Sequence, residues 1–254
     1  MPRRHSRIDI QSIFRLTELA DYIVPFTIRV ACDLRLADHL AEGPRTVQEL
    51  AEATQTHAPS LLRALRALAC KGIFTEVEPE CFGLTPLAEL LRSDHPFSLQ
   101  GCFPLMPPDI HAWARSDYSV RTGKPAFDHV HGRSYYEYFA DHPRDSARFD
   151  RSAASVNPLV LATVLPAYDW GSFSTVVDVG GGDGSFLAGI LSRHPSMQGV
   201  LFDQPLAVAN AKSIVVEAGV ADRCELRSGD FFDCVPAGKD AVLPPLRWLA
   251  SPAR

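Results

Sequence analysis

The chain has 254 residues, 46% of them hydrophobic and 22% charged, with a formal net charge of −5. That composition belongs to a globular chain with enough apolar residues for one large or two modest domains. The acidic balance argues against a general nucleic-acid binder or a basic membrane-surface protein, and no apolar run approaches the ~20 residues needed to span a bilayer. At the start, the basic Met1-Pro2-Arg3-Arg4-His5 has no continuous apolar segment behind it, so a cytoplasmic protein is expected rather than a secreted one. Three regions follow, 1–93, 94–172 and 173–254.

The first region carries helical periodicity. Ile13, Leu16, Leu19, Ala20, Ile23 and Val24 fall at spacings of three and four, which predicts one amphipathic helix, and a second is expected over Ala31 to Leu40. Thr46 and Glu49 form the signature of a capping box before a short helix. Pro59 opens a further helix through Leu68, with Gly72 as its C-cap. Two extended runs, Ile73 to Val77 and Cys81 to Leu84, precede a helix begun by Thr85-Pro86. Helix, helix and small hairpin is winged-helix order. Arg63, Arg66 and Lys71 make a thin basic face among many acids, and phosphate recognition needs a clustered one. A packing or dimerisation module is therefore expected in place of a DNA reader.

The middle region is helical and aromatic. Helices are expected from near Ser134 and from Asp145 to about Leu165, parted by His142-Pro143. Some of Phe103, Met106, Trp113, Phe127 and Phe139 are candidates to line an apolar cleft. His129 and His131 are read as loop histidines without companion ligands, so no metal site is expected. The six cysteines, Cys32, Cys70, Cys81, Cys102, Cys224 and Cys234, include no Cys-x-x-Cys pair and read as reduced, mostly packed thiols.

The last region alternates strand and helix. Thr175 to Val179 is a β-branched run suited to a strand buried on both faces. Ser185 to Arg193 is a helix, Gly199 to Asp203 a strand, Leu206 to Ala218 a helix and Cys224 to Arg227 a third strand, which implies a doubly wound α/β sheet. Ligands bind at the carboxyl ends of such strands. Gly180, Gly181, Gly182 and Gly184 follow Asp178 there, where a backbone must turn sharply and let a ligand approach. A dinucleotide loop would need a glycine at Ser185, and its pyrophosphate would be poorly served by Asp178. S-adenosylmethionine has no phosphate and carries an ammonium and a sulfonium, so acids suit it. Asp203, with Gln204 beside it, ends the second strand where an acid accepts from ribose hydroxyls. Gly229-Asp230-Phe231-Phe232 follows the third, where Asp230 can accept from the adenine amino group and Phe231 pack on the ring. The candidate cofactor residues are thus Asp178, Gly180, Gly181, Gly182, Gly184, Asp203, Gln204, Asp230 and Phe231.

In Val176 to Gly184, Leu201-Phe202-Asp203-Gln204-Pro205 and Gly229 to Phe232 the sequence resembles the small-molecule O-methyltransferases of the plant caffeate type, and especially bacterial relatives acting on aromatic polyketides and antibiotics. The similarity extends upstream through Leu84 to Leu87 and Gly123 to Phe127, covering about residues 10–240. It implies an all-α, winged-helix-like dimerisation domain, then a partial Rossmann-like sheet binding S-adenosylmethionine. A homodimer and a small aromatic or polyketide acceptor come with it, and neither nucleic acid nor membrane is implied as a partner.

Two departures stand out. Ala153 occupies a position where the family often has methionine. After Asp240 the chain reads Ala241-Val242-Leu243-Pro244-Pro245 and on to Arg254, where the family continues to a histidine general base, and no histidine follows His194. On this reading no catalytic residue is assigned, and the tail looks like a shifted reading frame. Proline cannot donate inside a central strand, so the Thr175–Val179 strand is expected to have an open edge and the C-terminal half to be marginal. An impaired methyltransferase is the leading expectation, although a phenol of low pKa could react without a dedicated base. A non-catalytic partner of a longer paralogue is second, and a winged-helix regulator third.

Overall fold

The computed structural model describes residues 9–231, 233–236 and 240–243. Phe232, the Met1–His5 stretch and the Pro244–Arg254 tail, all read above, lie outside those residues. The chain divides into two compact units, Met1–Leu105 and Met106–Arg254.

The first unit holds α1 (Ile10–Leu19), α2 (Ile23–Asp33), α3 (Leu36–His39), β1 (Arg45–Thr46), α4 (Val47–Thr54), α5 (Ala58–Ala69), β2 (Phe74–Glu78), β3 (Cys81–Leu84) and α6 (Pro86–Glu89). The single helix expected through Ile13 and Val24 is two helices. Asp21 is the physical reason: its carboxylate accepts from the N–H groups of Ile23 (2.9 Å) and Val24 (3.1 Å). Pro25 reinforces the break, because it has no N–H to give to the Asp21 carbonyl, as a continuous helix would require. The apolar stripe of α1 is not core either: Ile10, Ile13, Phe14, Leu16 and Leu19 are all exposed. The second expected helix, Ala31 to Leu40, is likewise divided between α2 and α3, with Arg35 in a left-handed conformation at the join.

The core of this unit packs Leu36, Leu40, Leu50, Leu65 and Leu68 around Phe74 and Phe82. The capping box of α4 forms as expected, Thr46 and Glu49 each satisfying the other's backbone N–H. Gly72 takes φ +70° just past α5, where the N–H of Ile73 reaches back to the Leu68 carbonyl at 3.0 Å. The antiparallel hairpin of β2 and β3 takes β1 onto its other edge, giving the order β1-β3-β2. Of the basic residues on α5 and after it, Arg66 is held by Glu76 and Lys71 by Glu18.

The second unit begins with α7 (Pro107–Trp113), α8 (Ser116–Thr122), α9 (Ala126–His131), α10 (Tyr135–Asp141), α11 (Pro143–Ser155) and α12 (Asn157–Thr163). The helix expected from Asp145 to Leu165 is broken at Val156. Pro158 has no N–H to give to the Ala154 carbonyl, so the ladder of a continuous helix is interrupted there, and proline is tolerated in the first turn of the new helix. His129 and His131 lie on α9, not in a loop: His129 stacks on Tyr118 and His131 faces the Pro108 carbonyl at 3.1 Å. The five candidates for an apolar cleft have different surroundings. Phe103 packs against the first unit's core, Trp113 is 76% exposed, and Met106, Phe127 and Phe139 are buried.

The sheet of this unit contains β4 (Thr175–Val179), β5 (Gln198–Asp203), β6 (Cys224–Ser228) and β7 (Ala241–Leu243), with α13 (Ser185–Arg193) and α14 (Pro205–Glu217) as crossovers. All pairings are parallel and the order is β6-β5-β4-β7. Because side chains alternate, Val176 and Leu201 join one apolar cluster with α13 and α14, whereas Val177, Val179, Val200 and Phe202 form the other face. The open edge expected for β4 is not there. Ala241, Val242 and Leu243 pair in register with Val176, Val177 and Asp178. These pairs are made by residues that precede Pro244, so the missing proline donors do not bear on them. Asp240 anchors its start, accepting from the N–H groups of Ser174 (2.9 Å) and Thr175 (3.0 Å).

Candidate functional site

Sequential strands run from β4 outward through β5 to β6, and then β7 falls on the other side of β4. The strand order therefore reverses at β4, and a crevice at the carboxyl ends is the place where open α/β sheets receive ligands. The glycine segment leaves β4 at that point.

Its path is set by three left-handed glycines, Gly180 (φ 68°), Gly182 (φ 59°) and Gly184 (φ 77°). A side chain is disfavoured at each, since that region strains any residue with a Cβ. The Gly180 N–H continues the β4–β5 ladder to the Phe202 carbonyl at 2.7 Å. Gly181 is required for a different reason: a Cβ there would lie 2.4 Å from Leu201 Cδ1 and 2.7 Å from Asp178 Cγ. Around Gly182, by contrast, a Cβ would meet none of the described residues within 4 Å. The loop thus packs tightly on the sheet with one face and is open on the other. Gly184 lets α13 approach α14, a Cβ there coming within 3.3 Å of Ala211.

Three carboxylates surround this loop. Asp178, the penultimate residue of β4, is 6% exposed, and among the described residues its Oδ2 has no hydrogen-bond partner. Burial, then the charges of Asp203 and Asp183, push its pKa up to about 7. Asp203 ends β5; its Oδ2 accepts from the Gly182 N–H at 2.8 Å and its Oδ1 from the Gln204 N–H at 2.6 Å. A carboxylate has about four lone-pair sites, so capacity to accept remains. Asp183 accepts from the Ser185 N–H at 3.0 Å and from the Asn157 amide at 3.3 and 3.2 Å.

Asp230 and Phe231 follow β6 in a turn. Phe231 packs against the Val177, Val179, Val200 and Phe202 cluster, and Gly229 is pressed so closely on the Phe202 ring that a Cβ would lie 2.5 Å from it. Gln204 stands at the start of α14 without a side-chain capping bond. The predicted glycines, Asp178, Asp203 and Gln204 therefore share one strand-end region, with Asp230 and Phe231 following the neighbouring strand β6.

Sequence reasoning missed Asn157 and the role of Asp183. An Asn-Pro pair interrupting a helical pattern was the available signal. It also overstated the packing of the thiols. Cys32 and Cys224 are buried, and burial raises them to about 12 and about 11. Cys70 and Cys234 are exposed, and Cys81 and Cys102 half-buried. Among the described residues no group of three or more His, Cys, Asp or Glu side chains could hold a metal ion, and no helix is long and apolar enough to cross a membrane.

The O-methyltransferase domain profile matches residues 113–248, and the O-methyltransferase dimerisation domain profile residues 17–94. A phenazine O-methyltransferase of Lysobacter antibioticus is 40% identical over 94% of this chain and 70% of its own length. An 8-amino-8-demethylriboflavin N,N-dimethyltransferase of Streptomyces davaonensis is 39% identical over 88% of this chain and 65% of its own. An O-methyltransferase of neocarzinostatin biosynthesis, solved with S-adenosylmethionine and 2-hydroxy-5-methyl naphthoic acid, superposes with TM-score 0.73 at 35% identity. That match covers 89% of this chain and 71% of the solved one. The chain spans 65–71% of the length of these three proteins.

Proposed function

The chain belongs to the family of S-adenosylmethionine-dependent O-methyltransferases, and from that premise we propose that its glycine loop binds this donor and that it methylates a hydroxyl of a small aromatic or polyketide secondary metabolite. One observation carries the reading most: a buried carboxylate oxygen on Asp178, without a hydrogen-bond partner among the described residues, beneath a loop whose outer face none of them covers at Gly182. A buried unpaired charge is costly, and a cationic ligand is the chemistry that relieves it. The surrounding Asp183 and Asp203 suit the same sign of charge.

When bound, the donor supplies an electrophilic methyl group on a sulfonium. This chain's residues would hold and orient it. Gly182 keeps a side chain away from the open loop face. Asp203, fixed by the Gly182 and Gln204 N–H groups, would accept from ribose hydroxyls. Asp178, packed beneath the loop at Gly181, would contribute its negative charge toward the cationic end, and Asp230 with Phe231 would support the adenine side. A homodimer through the N-terminal unit is supported by the exposed apolar side chains of α1 and by the match to a dimerisation domain.

Calorimetric titration with S-adenosylmethionine tests the donor reading, and absence of binding would refute it. Transfer of labelled methyl groups to a panel of phenols and aromatic amines tests the acceptor class. Tight donor binding with no transfer would select the alternative, an impaired enzyme or a non-catalytic partner of a longer methyltransferase. Sedimentation of the full chain reads the dimer directly.

A further inference from the structure

The helix preceding the sheet domain is tied to the donor loop by one side-chain pair. Asn157 is the first residue of α12, immediately after the break at Val156. Its Nδ2 stands 3.3 and 3.2 Å from the two oxygens of Asp183, and a carboxylate accepts only, so the amide nitrogen must be the group that faces it. Asp183 Oδ1 also accepts from the N–H of Ser185, the first residue of α13. Asp183 lies between Gly182 and Gly184, two left-handed residues that on their own leave the chain many alternatives. Orientation of this one carboxylate and the path of the loop are therefore fixed together.

The choice of an amide has an electrostatic consequence. An arginine or lysine could hold Asp183 equally well but would cancel its charge. Asn157 restrains the carboxylate and leaves its negative charge beside Asp178 and Asp203, where it contributes to raising Asp178. We propose that Asn157 is a positioning residue for the donor loop, acting through Asp183 to hold the Gly182–Ser185 turn in its binding shape while keeping the site anionic. This inference rests on the reading of the loop as the S-adenosylmethionine site.

The test uses the full chain and two readouts: S-adenosylmethionine affinity by calorimetry, and amide hydrogen exchange at residues 182–185 without any ligand. Asn157→Ala is expected to weaken affinity about tenfold, the effect of losing a hydrogen bond to a charged group, and to speed exchange at those amides. Asn157→Asp, which sets two carboxylates against each other, is expected to do more on both counts. The reciprocal variant Asn157→Asp with Asp183→Asn restores a donor and an acceptor with their places exchanged, and should return exchange protection and most of the affinity. Wild-type values for Asn157→Ala in both readouts would overturn the proposal, as would a reciprocal variant no better protected than Asn157→Asp. A wild-type chain that binds no S-adenosylmethionine would instead defeat the functional reading, and the exchange data would still decide whether Asn157 positions the loop.

Discussion

In the N-terminal unit Glu76 meets the Arg66 guanidinium at 2.7 Å and accepts from the Glu80 N–H at 2.9 Å, and those bonds hold its carboxyl down to about 2. Asp38 accepts from Arg35 and from the Ser93 N–H, both at 2.7 Å, and Glu49 closes the capping box of α4. In the second unit Asp178 is buried, carries an oxygen without a hydrogen-bond partner among the described residues and is pushed up to about 7. The contrast separates two uses of the same functional group. A carboxylate whose bonds are complete within its own unit stabilises the fold, whereas one buried and left incomplete destabilises it until something else completes it. Functional sites tend to hold groups of the second kind.

The largest expected effect comes from closing the space that this incomplete group occupies. Gly181→Val would drive methyl groups into Leu201 and Asp178, which a single Cβ already overlaps. Overpacking of this sort costs about 1–3 kcal/mol, and the displaced loop should lower S-adenosylmethionine affinity by more than a hundredfold. The matched change in the first unit is Gly72→Ala, at a left-handed position with open space around it. It should cost about 1 kcal/mol through backbone strain alone and leave affinity unchanged. Chemical denaturation and calorimetry on both variants check the pair. Equal losses of affinity would show that glycine strain anywhere suffices, and the contrast would collapse.

A smaller effect, but a more specific one, is expected from Asp178→Asn. The folded carboxyl keeps its proton to about 7, while an unfolded aspartate titrates at about 3.9. The folded state thus binds the extra proton between those values, and stability falls as pH rises from about 4 to about 7. Asp178→Asn should flatten that fall in a plot of Tm against pH. It should also remove a rise in S-adenosylmethionine affinity of up to about tenfold between pH 5.5 and 7.5, because only the ionised carboxylate attracts the cation. Superimposable pH profiles for the two proteins would place Asp178 with the structural carboxylates.

The sequence exposed the frame of this site more fully than its state. β4, α13, β5, α14 and β6 could be read from a β-branched run, the stops at His194-Pro195 and Gly219, and the acids at strand ends, because local chemistry alone decides them. The breaks after Leu19 and Ser155 could not be read from periodicity, since Asp21, Pro25 and Pro158 override a pattern that continues through them. Strand β7 is three residues long and is held by register against Val176–Asp178, a non-local pairing that the adjacent prolines disguised. The glycines and Asp178 announced a ligand, but whether Asp178 had a partner depends on everything packed around it. Asn157 and Asp183 stand 26 positions apart, and nothing local connects them.

The smallest expected effect lies at the best-satisfied carboxylate. Arg66→Met keeps the apolar stem of the side chain and removes three contacts to Glu76. Because the folded pKa of Glu76 lies below its ordinary 4.5, the pair's contribution is present above about 4.5 and is lost as pH falls toward about 2. Both side chains reach solvent, so water and salt screen the attraction and exposed pairs of this kind contribute little. The expected result is a slightly lower Tm at pH 7, no difference between variant and wild type at pH 2, and an attenuated difference in high salt. S-adenosylmethionine affinity should stay within twofold of wild type. A larger change in affinity would break the contrast, since a carboxylate with complete bonds and a depressed pKa would then be carrying ligand function, and an unfilled bond would no longer distinguish the site from the scaffold.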